Sequence, residues 1–134
     1  MSIQVGQKAR RSKTVTARDV DLYAEITGDR NPLHFDAAFA AGTRFGRLVA
    51  QGGITSGMLN ALVAMDLPGP GTVFMSQTLK YLAPTYLGDT LTAEVEVLSV
   101  KPDKPVCQLK ATITNQDGTV VLEGECWTYT LKPA

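Results

Sequence analysis

The sequence predicts an α+β fold in which a curved antiparallel β-sheet surrounds one long, buried helix. The segment between Gly52-Gly53 and Pro68 has apolar residues around nearly its whole circumference, which is typical of a helix inside a core. Later segments alternate apolar and polar residues with a period of two, which is typical of antiparallel strands with one buried face. Both elements bury their apolar surface when the sheet covers the helix.

Length and charge restrict the choice of function. The 134 residues are enough for one domain with a core and too few for two, so we expect a single domain over residues 1–134. The 13 basic and 13 acidic residues give a formal net charge of zero, and no basic block is present. Nucleic acid is therefore not an expected partner.

The sequence predicts neither a targeting signal nor a metal site. The opening residues lack the apolar core of a signal peptide, and no apolar run is long enough to cross a membrane. Cys107 and Cys126 do not have the spacing of a metal site and fall in strand-like segments, where a buried free thiol is common. We expect a cytoplasmic, reduced protein that does not contact a membrane and holds no metal.

Two further helices are predicted in the first half of the chain. Thr16 and Asp19 have the spacing of a capping box, and Gly28 follows the apolar repeat as the residue after a helix C-terminus. Asp36 has the position of an N-cap for a short helix over residues 37–41. The loop between Gly28 and Asp36 therefore joins two helices.

The second half of the chain is predicted to form strands. Asp117-Gly118 is a hairpin signal between the last two of them. The predicted strands cover residues 72–82, 91–97, 107–114 and 120–131.

The stretch GDRNPLHFD, residues 28–36, contains the single histidine of the chain among turn-forming residues. Pro32 fixes its own backbone and keeps Asn31 out of the helical region, so the loop is expected to be stiff. A turn there would bring Asp29 and His34 together, and histidine both accepts and donates protons near neutral pH. We therefore expect an acid/base pair. The alternative is ordinary turn chemistry with a structural hydrogen bond.

Gly52 and Gly53 open the long helix. Their backbone N–H groups have no helical acceptor and lie at the positive end of the helix dipole. Such groups can bind an oxyanion or a polarised carbonyl. The alternative is that glycine allows the start of the helix to approach a neighbouring segment closely.

Residues 23–34, YAEITGDRNPLH, resemble the signature of the (R)-specific enoyl-CoA hydratases of the MaoC-like family. The resemblance extends through VAQGGITSGMLNALVAMDLPGPG and LAPTYLGDTLTAEVEV, and so covers most of the chain. It implies a hot-dog fold, in which an antiparallel sheet wraps a long helix, and a dimer with the substrate tunnel near the interface. The implied reaction is the reversible hydration of trans-2-enoyl-CoA to (R)-3-hydroxyacyl-CoA, in fatty-acid or polyhydroxyalkanoate-type metabolism. No metal or redox cofactor is implied, since coenzyme A is part of the substrate.

The resemblance also implies roles for individual residues. Asp29 and His34 match the catalytic aspartate and histidine that hold and activate a water, and Asn31 matches the asparagine that shapes the same site. Gly52 matches the glycine whose backbone N–H binds the thioester carbonyl. Many members of the family have histidine where this chain has Gln51, so the hydrogen bonds at that position are expected to differ.

By family position, Asn60, Val63 and Thr128 are candidates for the far end of the acyl tunnel. The alternative is that they are ordinary core and interface positions. Asn60 is polar, so it would either shorten the pocket or satisfy a backbone group. Basic side chains near the tunnel mouth are expected to meet the phosphates of coenzyme A, but the sequence does not distinguish among them.

Other functions remain open at this point. Dehydration, including that of acyl carrier protein thioesters, is the same chemistry in reverse, whereas a hot-dog thioesterase would hydrolyse the thioester. A non-catalytic subunit that binds acyl thioesters, or a structural protein, does not require an acid/base pair. The presence of Asp29, Asn31 and His34 therefore favours an enzyme. The resemblance of the Asp-x-Asn-Pro-Leu-His motif, residues 29–34, favours a hydratase over a thioesterase.

Overall fold

The computed structural model describes residues 3–132 as one antiparallel sheet and a set of helices. The strands lie in the order β1-β3-β4-β5-β2, and each pair of neighbours is antiparallel. In chain order the elements are β1 (Lys8–Thr14), α1 (Ala17–Thr27), α2 (Pro32–Phe35), α3 (Ala37–Ala41), α4 (Gly52–Ala61) with a π-helical extension (Leu62–Asp66), β2 (Thr72–Tyr81), β3 (Thr90–Val100), β4 (Val106–Thr114) and β5 (Val120–Thr130).

The sheet curves around α4 and its extension, which confirms the predicted α+β architecture. Strands β1 and β2 are the two edges of the sheet, yet both contact the π-helical extension, as does β3. A flat sheet does not bring its two edges to one short helical segment. The core lies between them, where Leu59 and Leu62 of the helix meet Leu91, Leu109 and other fully buried residues of the strands.

The four predicted strands are confirmed, and their alternation follows the core. On β3, buried and half-buried residues alternate from Thr90 to Val97, because every second side chain of a strand points to the same face. The turn around Gly118 joins β4 to β5, as the Asp-Gly signal predicts.

Helix α1 has the predicted capping box at its start and the predicted glycine at its end. The Thr16 hydroxyl accepts from the Asp19 N–H, and the Asp19 carboxylate accepts from the Thr16 N–H. Gly28 ends the helix with a φ of 81° and donates to the carbonyl of Ala24. This left-handed conformation favours glycine, and it fixes the direction in which the chain enters residue 29.

Strand β1 and helix α2 are not predicted by the sequence patterns. β1 is an edge strand with largely exposed side chains, so it has no apolar alternation to detect. The chain from Pro32 to Phe35, which the sequence indicates as a loop, forms one short helix. Asn31 lies at its N-cap, and Pro32 is accepted as the first helical residue because that position needs no N–H donor.

Helix α4 is less completely covered than its apolar sequence predicts. Its buried side includes Thr55, Met58 and Leu59. Met65 in the extension is 60% exposed, and Ile54 is half-buried, so one apolar side is not covered by the described part of this chain.

The two cysteines are buried and free, as predicted. Burial raises the pKa of the Cys126 thiol to about 12, and burial likewise raises the pKa of Cys107. Both side chains are therefore protonated near neutral pH and behave as apolar groups. In the described residues, no helix has the length and apolar character required to cross a membrane.

The capping box generates a prediction about acid stability. Burial opposes the effect, but hydrogen bonds from Thr16 and Lys13 hold the pKa of the Asp19 carboxyl below its usual range. Because the pKa is lower in the folded state than in the unfolded state, the ionised carboxylate stabilises the fold at pH values above the ordinary carboxyl pKa. This contribution is lost as the pH falls through the pKa of the folded state. Asp19→Asn should therefore lower the free energy of unfolding by about 1 kcal/mol at pH 7.

Urea denaturation of wild type and Asp19→Asn from pH 7 to pH 3 measures this effect. The two curves should converge in acid, while Thr16→Ala, which removes the other half of the box, should stay less stable than wild type throughout. A difference between Asp19→Asn and wild type that is constant with pH would exclude a role for the carboxylate charge.

Candidate active site

Helix α2 places His34 in the interior. The Asn31 side-chain oxygen accepts from the Leu33 N–H at 3.0 Å, which caps the helix start. Two residues after Pro32, the chain has turned far enough for His34 to be buried. Its neighbour Leu33 is half-buried, and Phe35 is exposed. The capped helix, rather than an irregular loop, supplies the stiffness that the sequence predicts.

A backbone carbonyl fixes the tautomer of His34. Its Nδ1 lies 2.7 Å from the carbonyl oxygen of Val49. A carbonyl oxygen only accepts, so Nδ1 carries a proton and donates it. In the neutral ring Nε2 then has the free lone pair and can accept a proton from a bound molecule.

The structure brings Asp29 and His34 together. Asp29 Oδ2 lies 3.5 Å from His34 Nε2. The second oxygen, Oδ1, accepts from the Asn31 N–H at 3.2 Å, which holds the carboxylate in place. The Asp29 side chain is 41% exposed and that of His34 is 10% exposed, so the pair lies between solvent and the interior. A water within hydrogen-bond distance of both groups has one acceptor nitrogen and one carboxylate oxygen to contact.

Gln51 ties the start of α4 to the Asp29 loop. Its side chain is almost fully buried, and its Nε2 donates to the Val20 carbonyl at 3.1 Å and to the Asp29 carbonyl at 3.5 Å. Its Oε1 has no hydrogen-bond partner among the described residues. The glutamine that replaces the histidine common in the resembled family thus supports the Asp29 backbone.

The two glycines at the start of α4 have different surroundings. A Cβ at Gly53 would lie 1.6 Å from the Tyr23 hydroxyl, so this glycine allows close packing against α1. Gly52 is exposed, and its N–H has no partner within residues 3–132. The helix start also lacks a side-chain cap. Close packing therefore explains Gly53, whereas Gly52 presents a bare donor.

A cavity of about 370 Å³ adjoins this donor. Gly52, Leu33 and Val49 form part of its wall. Leu33 precedes His34 in the chain, and the Val49 carbonyl accepts the hydrogen bond from the His34 ring. Arg44, Thr55 and Thr85 also line it. Its size lies within the range of small-molecule sites.

The three tunnel candidates do not line this cavity. Asn60 is exposed on α4, and Val63 is fully buried in the core. Thr128 on β5 is also fully buried, and its hydroxyl lies 3.2 Å from the Cys107 sulfur. No local sequence pattern marks Thr55, although it follows Gly52 by one helical turn and so lies on the same face.

Comparison with known proteins identifies relatives over most of the chain. Residues 2–121 match the family described as MaoC like domain. The chain is 41% identical to the (R)-specific enoyl-CoA hydratase of Aeromonas caviae over 124 residues, which is 92% of each protein. It is 42% identical to the 3-hydroxybutyryl-CoA dehydratase of Methylorubrum extorquens over 123 residues, 92% of this chain and 78% of that protein.

The chain belongs to the MaoC-like family. The fold agrees, because the solved (R)-hydratase from A. caviae involved in PHA biosynthesis superimposes with a TM-score of 0.93. That comparison covers 97% of this chain and 98% of the other at 39% identity. The hot-dog architecture implied by the sequence is therefore confirmed for this MaoC-like chain.

The glycines of α4 in this MaoC-like chain provide a matched test of the geometry. Gly53→Ala places a methyl group against the Tyr23 side chain and should lower the free energy of unfolding by about 1–3 kcal/mol. In Gly57→Ala, in the same helix, the added Cβ meets no described atom of its own chain within 4 Å, so helix propensity should raise the free energy of unfolding by about 0.5–1 kcal/mol. Thermal and urea denaturation of both variants would measure these changes. Equal effects would contradict the proposed contact with Tyr23.

Proposed function

We propose that this chain catalyses the reversible hydration of trans-2-enoyl-CoA to (R)-3-hydroxyacyl-CoA, in fatty-acid or polyhydroxyalkanoate-type metabolism. The observation that carries the proposal is the Asp29–His34 pair, 3.5 Å apart, beside a helix start with a free N–H at Gly52. The named relatives support it, since they are an (R)-specific enoyl-CoA hydratase and a 3-hydroxybutyryl-CoA dehydratase. We place the reaction in the cytoplasm.

The acid/base pair moves one proton in each direction. His34 Nε2 takes a proton from a water that Asp29 helps to hold, and the water oxygen bonds to the β-carbon of the enoyl group. The electrons of the double bond move toward the α-carbon and the thioester carbonyl. The pair then returns a proton to the α-carbon, so the enzyme ends the reaction in its starting protonation state.

The Gly52 N–H stabilises the charge that this reaction creates. Negative charge builds on the thioester oxygen when water adds to the β-carbon. A fixed backbone donor at the positive end of α4 interacts more strongly with that oxygen in the transition state than in the substrate. Asn31 contributes indirectly, because its cap holds the helix that carries His34 and its N–H holds Asp29.

The acyl chain extends from this centre toward Asn60, Val63 and Thr128. We assign the fully buried Val63 and Thr128 to the closed end of the tunnel and the exposed Asn60 of α4 to its side wall. We expect these three residues to set the length of the acyl group that the chain accepts.

A homodimer is expected from two uncovered surfaces. Strand β2 is an edge of the sheet and exposes Val73 and Met75 at 49% and 59%. Met65 and Ile54 leave an apolar side of α4 uncovered. A second copy of the chain would cover both the strand edge and this apolar surface.

Removal of either member of the pair tests the mechanism. Asp29→Asn and His34→Ala should each lower the turnover of hydration about 10²–10⁴-fold, because general acid/base catalysis contributes on that scale. The rate is measured as the decrease in absorbance of the conjugated enoyl thioester. The assay is repeated with enoyl-CoA substrates of increasing chain length. Asp21→Asn, an exposed carboxylate on α1, is the matched control. Near wild-type turnover in either active-site variant, with the fold intact by circular dichroism, would contradict its role.

The same incubations separate the lyase from a thioesterase. A thioesterase would release free coenzyme A thiol from the substrate, whereas hydration leaves the thioester intact. We expect loss of the enone without release of thiol.

The Gly52 donor can be deleted with a proline. Gly52 is the first residue of α4, a position that accepts proline, and the preceding Gln51 has φ −61° and ψ 137°, the extended conformation that proline requires before it. Gly52→Pro removes the N–H, while Gly52→Ala keeps it and places the same Cβ near Tyr81, at 3.1 Å from the ring. Turnover by the proline variant should be about 10²-fold lower than turnover by the alanine variant. Equal turnover would exclude the oxyanion role.

Sedimentation at micromolar concentration tests the dimer. The mass should exceed that of one 14.4 kDa chain, because the exposed strand edge and apolar helix side are unfavourable in water. A fully active monomer would contradict this proposal.

A further inference from the structure

Gln51 carries an unpaired polar atom in the interior of the protein. The residue is 1% exposed, and its Oε1 is the one buried side-chain nitrogen or oxygen without a hydrogen-bond partner in the described part of the chain. An amide oxygen in this state destabilises a fold, because it loses the hydrogen bonds that water gives it in the unfolded chain. The stability of the core therefore does not account for a glutamine at this position.

The nitrogen of the same amide uses both of its N–H groups. Nε2 donates to the Val20 carbonyl at 3.1 Å and to the Asp29 carbonyl at 3.5 Å. The reversed amide would place Oε1 against two carbonyl oxygens, which only accept, so these two contacts fix the orientation of the side chain. The unpaired oxygen is thus the consequence of directing both donors at α1 and at the loop that follows it.

The two acceptors indicate what this contact achieves. Val20 lies within α1, where the helix itself supplies a donor to its carbonyl, so Val20 does not require Gln51. Asp29 is half-buried and belongs to the acid/base pair. The amide therefore connects the start of α4 with α1 and with the backbone of the residue that carries the carboxylate.

The backbone of Gln51 is held as firmly as its side chain. Its carbonyl accepts from the Ile54 N–H at 3.0 Å, and the N–H of the preceding Ala50 donates to the Thr85 carbonyl at 2.7 Å. The peptide bond that follows Gln51 carries the Gly52 N–H, the proposed donor to the thioester oxygen. One residue therefore binds Asp29 through its side chain and orients the Gly52 donor through its own peptide.

We propose that Gln51 is a positioning residue, whose buried amide fixes the Asp29 carboxylate relative to the Gly52 N–H. The inference rests on the proposed function, in which Asp29 helps to hold the water and Gly52 binds the thioester oxygen. The water must reach the β-carbon of the substrate while that oxygen is bound, so the two groups must keep one separation. The destabilising Oε1 is retained because the reaction requires the donors on Nε2.

Replacement by methionine separates catalysis from stability. Gln51→Met keeps an unbranched side chain of similar length and removes both the donors and the unpaired oxygen, so the melting temperature should equal or exceed that of wild type. The kcat for an enoyl-CoA should fall about 10–100-fold with an unchanged KM, because misplacement of the reacting groups affects the transition state. An unchanged kcat, or a lower melting temperature with an unchanged kcat, would make Gln51 a structural residue and overturn the proposal.

The matched control makes the same exchange elsewhere. Gln108→Met on β4 removes a hydrogen bond to Glu125 on the outside of the sheet, and it should keep the wild-type kcat and KM.

A second variant tests the donors by pH. In Gln51→Glu the introduced carboxyl donates to one carbonyl when it is protonated, whereas the ionised form faces two carbonyl oxygens without a donor. Burial raises the pKa of such a carboxyl above its ordinary value. The ratio of variant to wild-type kcat should therefore decrease as the pH rises through this raised pKa. A ratio that is constant with pH would overturn the proposal.

The single histidine provides a measurement that does not depend on catalysis. At a pH where the ring is neutral, the Nε2 resonance of His34 should move in Gln51→Met, because the Asp29 carboxylate beside it is displaced. The Nδ1 resonance should keep its protonated position, because the Val49 carbonyl is unchanged. Identical Nε2 resonances in wild type and Gln51→Met would show that Gln51 does not position Asp29. Failure of the proposed function is a separate result, since wild-type protein would then hydrate no enoyl-CoA whatever the resonances show.

Discussion

Burial of α4 against the sheet is the constraint on which the rest of the structure depends. The helix supplies the fully buried Leu59, and its extension supplies Leu62 and Val63, so the strands form their core around it. A buried helix still has an N-terminus whose N–H groups lack helical acceptors. Here that end emerges beside the Asp29 loop, so the packing that stabilises the fold also places a bare donor at the candidate active site.

The histidine loop depends on the same helix. Val49 and Gln51 lie in the segment that leads into α4, and they bind the His34 ring and the Asp29 carbonyl. A further hydrogen bond of the segment, from the Val49 N–H to the Leu33 carbonyl, holds α2 against it. The acid/base pair and the Gly52 donor therefore belong to one connected unit, and movement of α4 would displace both.

The sequence predicts those features whose signal is local. The capping box of α1, the glycine after it and the alternation of β3 each depend on residues within about two turns or one strand. Strand β1 escapes detection because its pairing with β3, rather than an apolar pattern, makes it a strand. The sequence likewise does not indicate which basic side chain lies beside the cavity. Only the folded chain shows that Arg44 lines it.

For Gly52 and Gly53 the sequence leaves two explanations open, an N–H donor to a ligand or close packing against a neighbouring segment. Both positions have the same residue and adjacent places in α4, yet Tyr23, thirty positions earlier than Gly53, decides that one is needed for packing. Likewise Thr55 has no local pattern that marks it, and its relation to Thr85 arises from the fold. Long-range contacts of this kind are set by the topology, and no period in the sequence records them.

Backbone atoms make many of the contacts that position the side chains of the candidate active site. The His34 ring is oriented by a carbonyl, Asp29 by an N–H and a preceding left-handed glycine, and the proposed donor to the thioester is itself an N–H. Such atoms are retained whenever the backbone is retained, whatever side chains surround them. The solved (R)-hydratase from A. caviae, 39% identical, superimposes with a TM-score of 0.93, so we expect these backbone contacts to be present there as well.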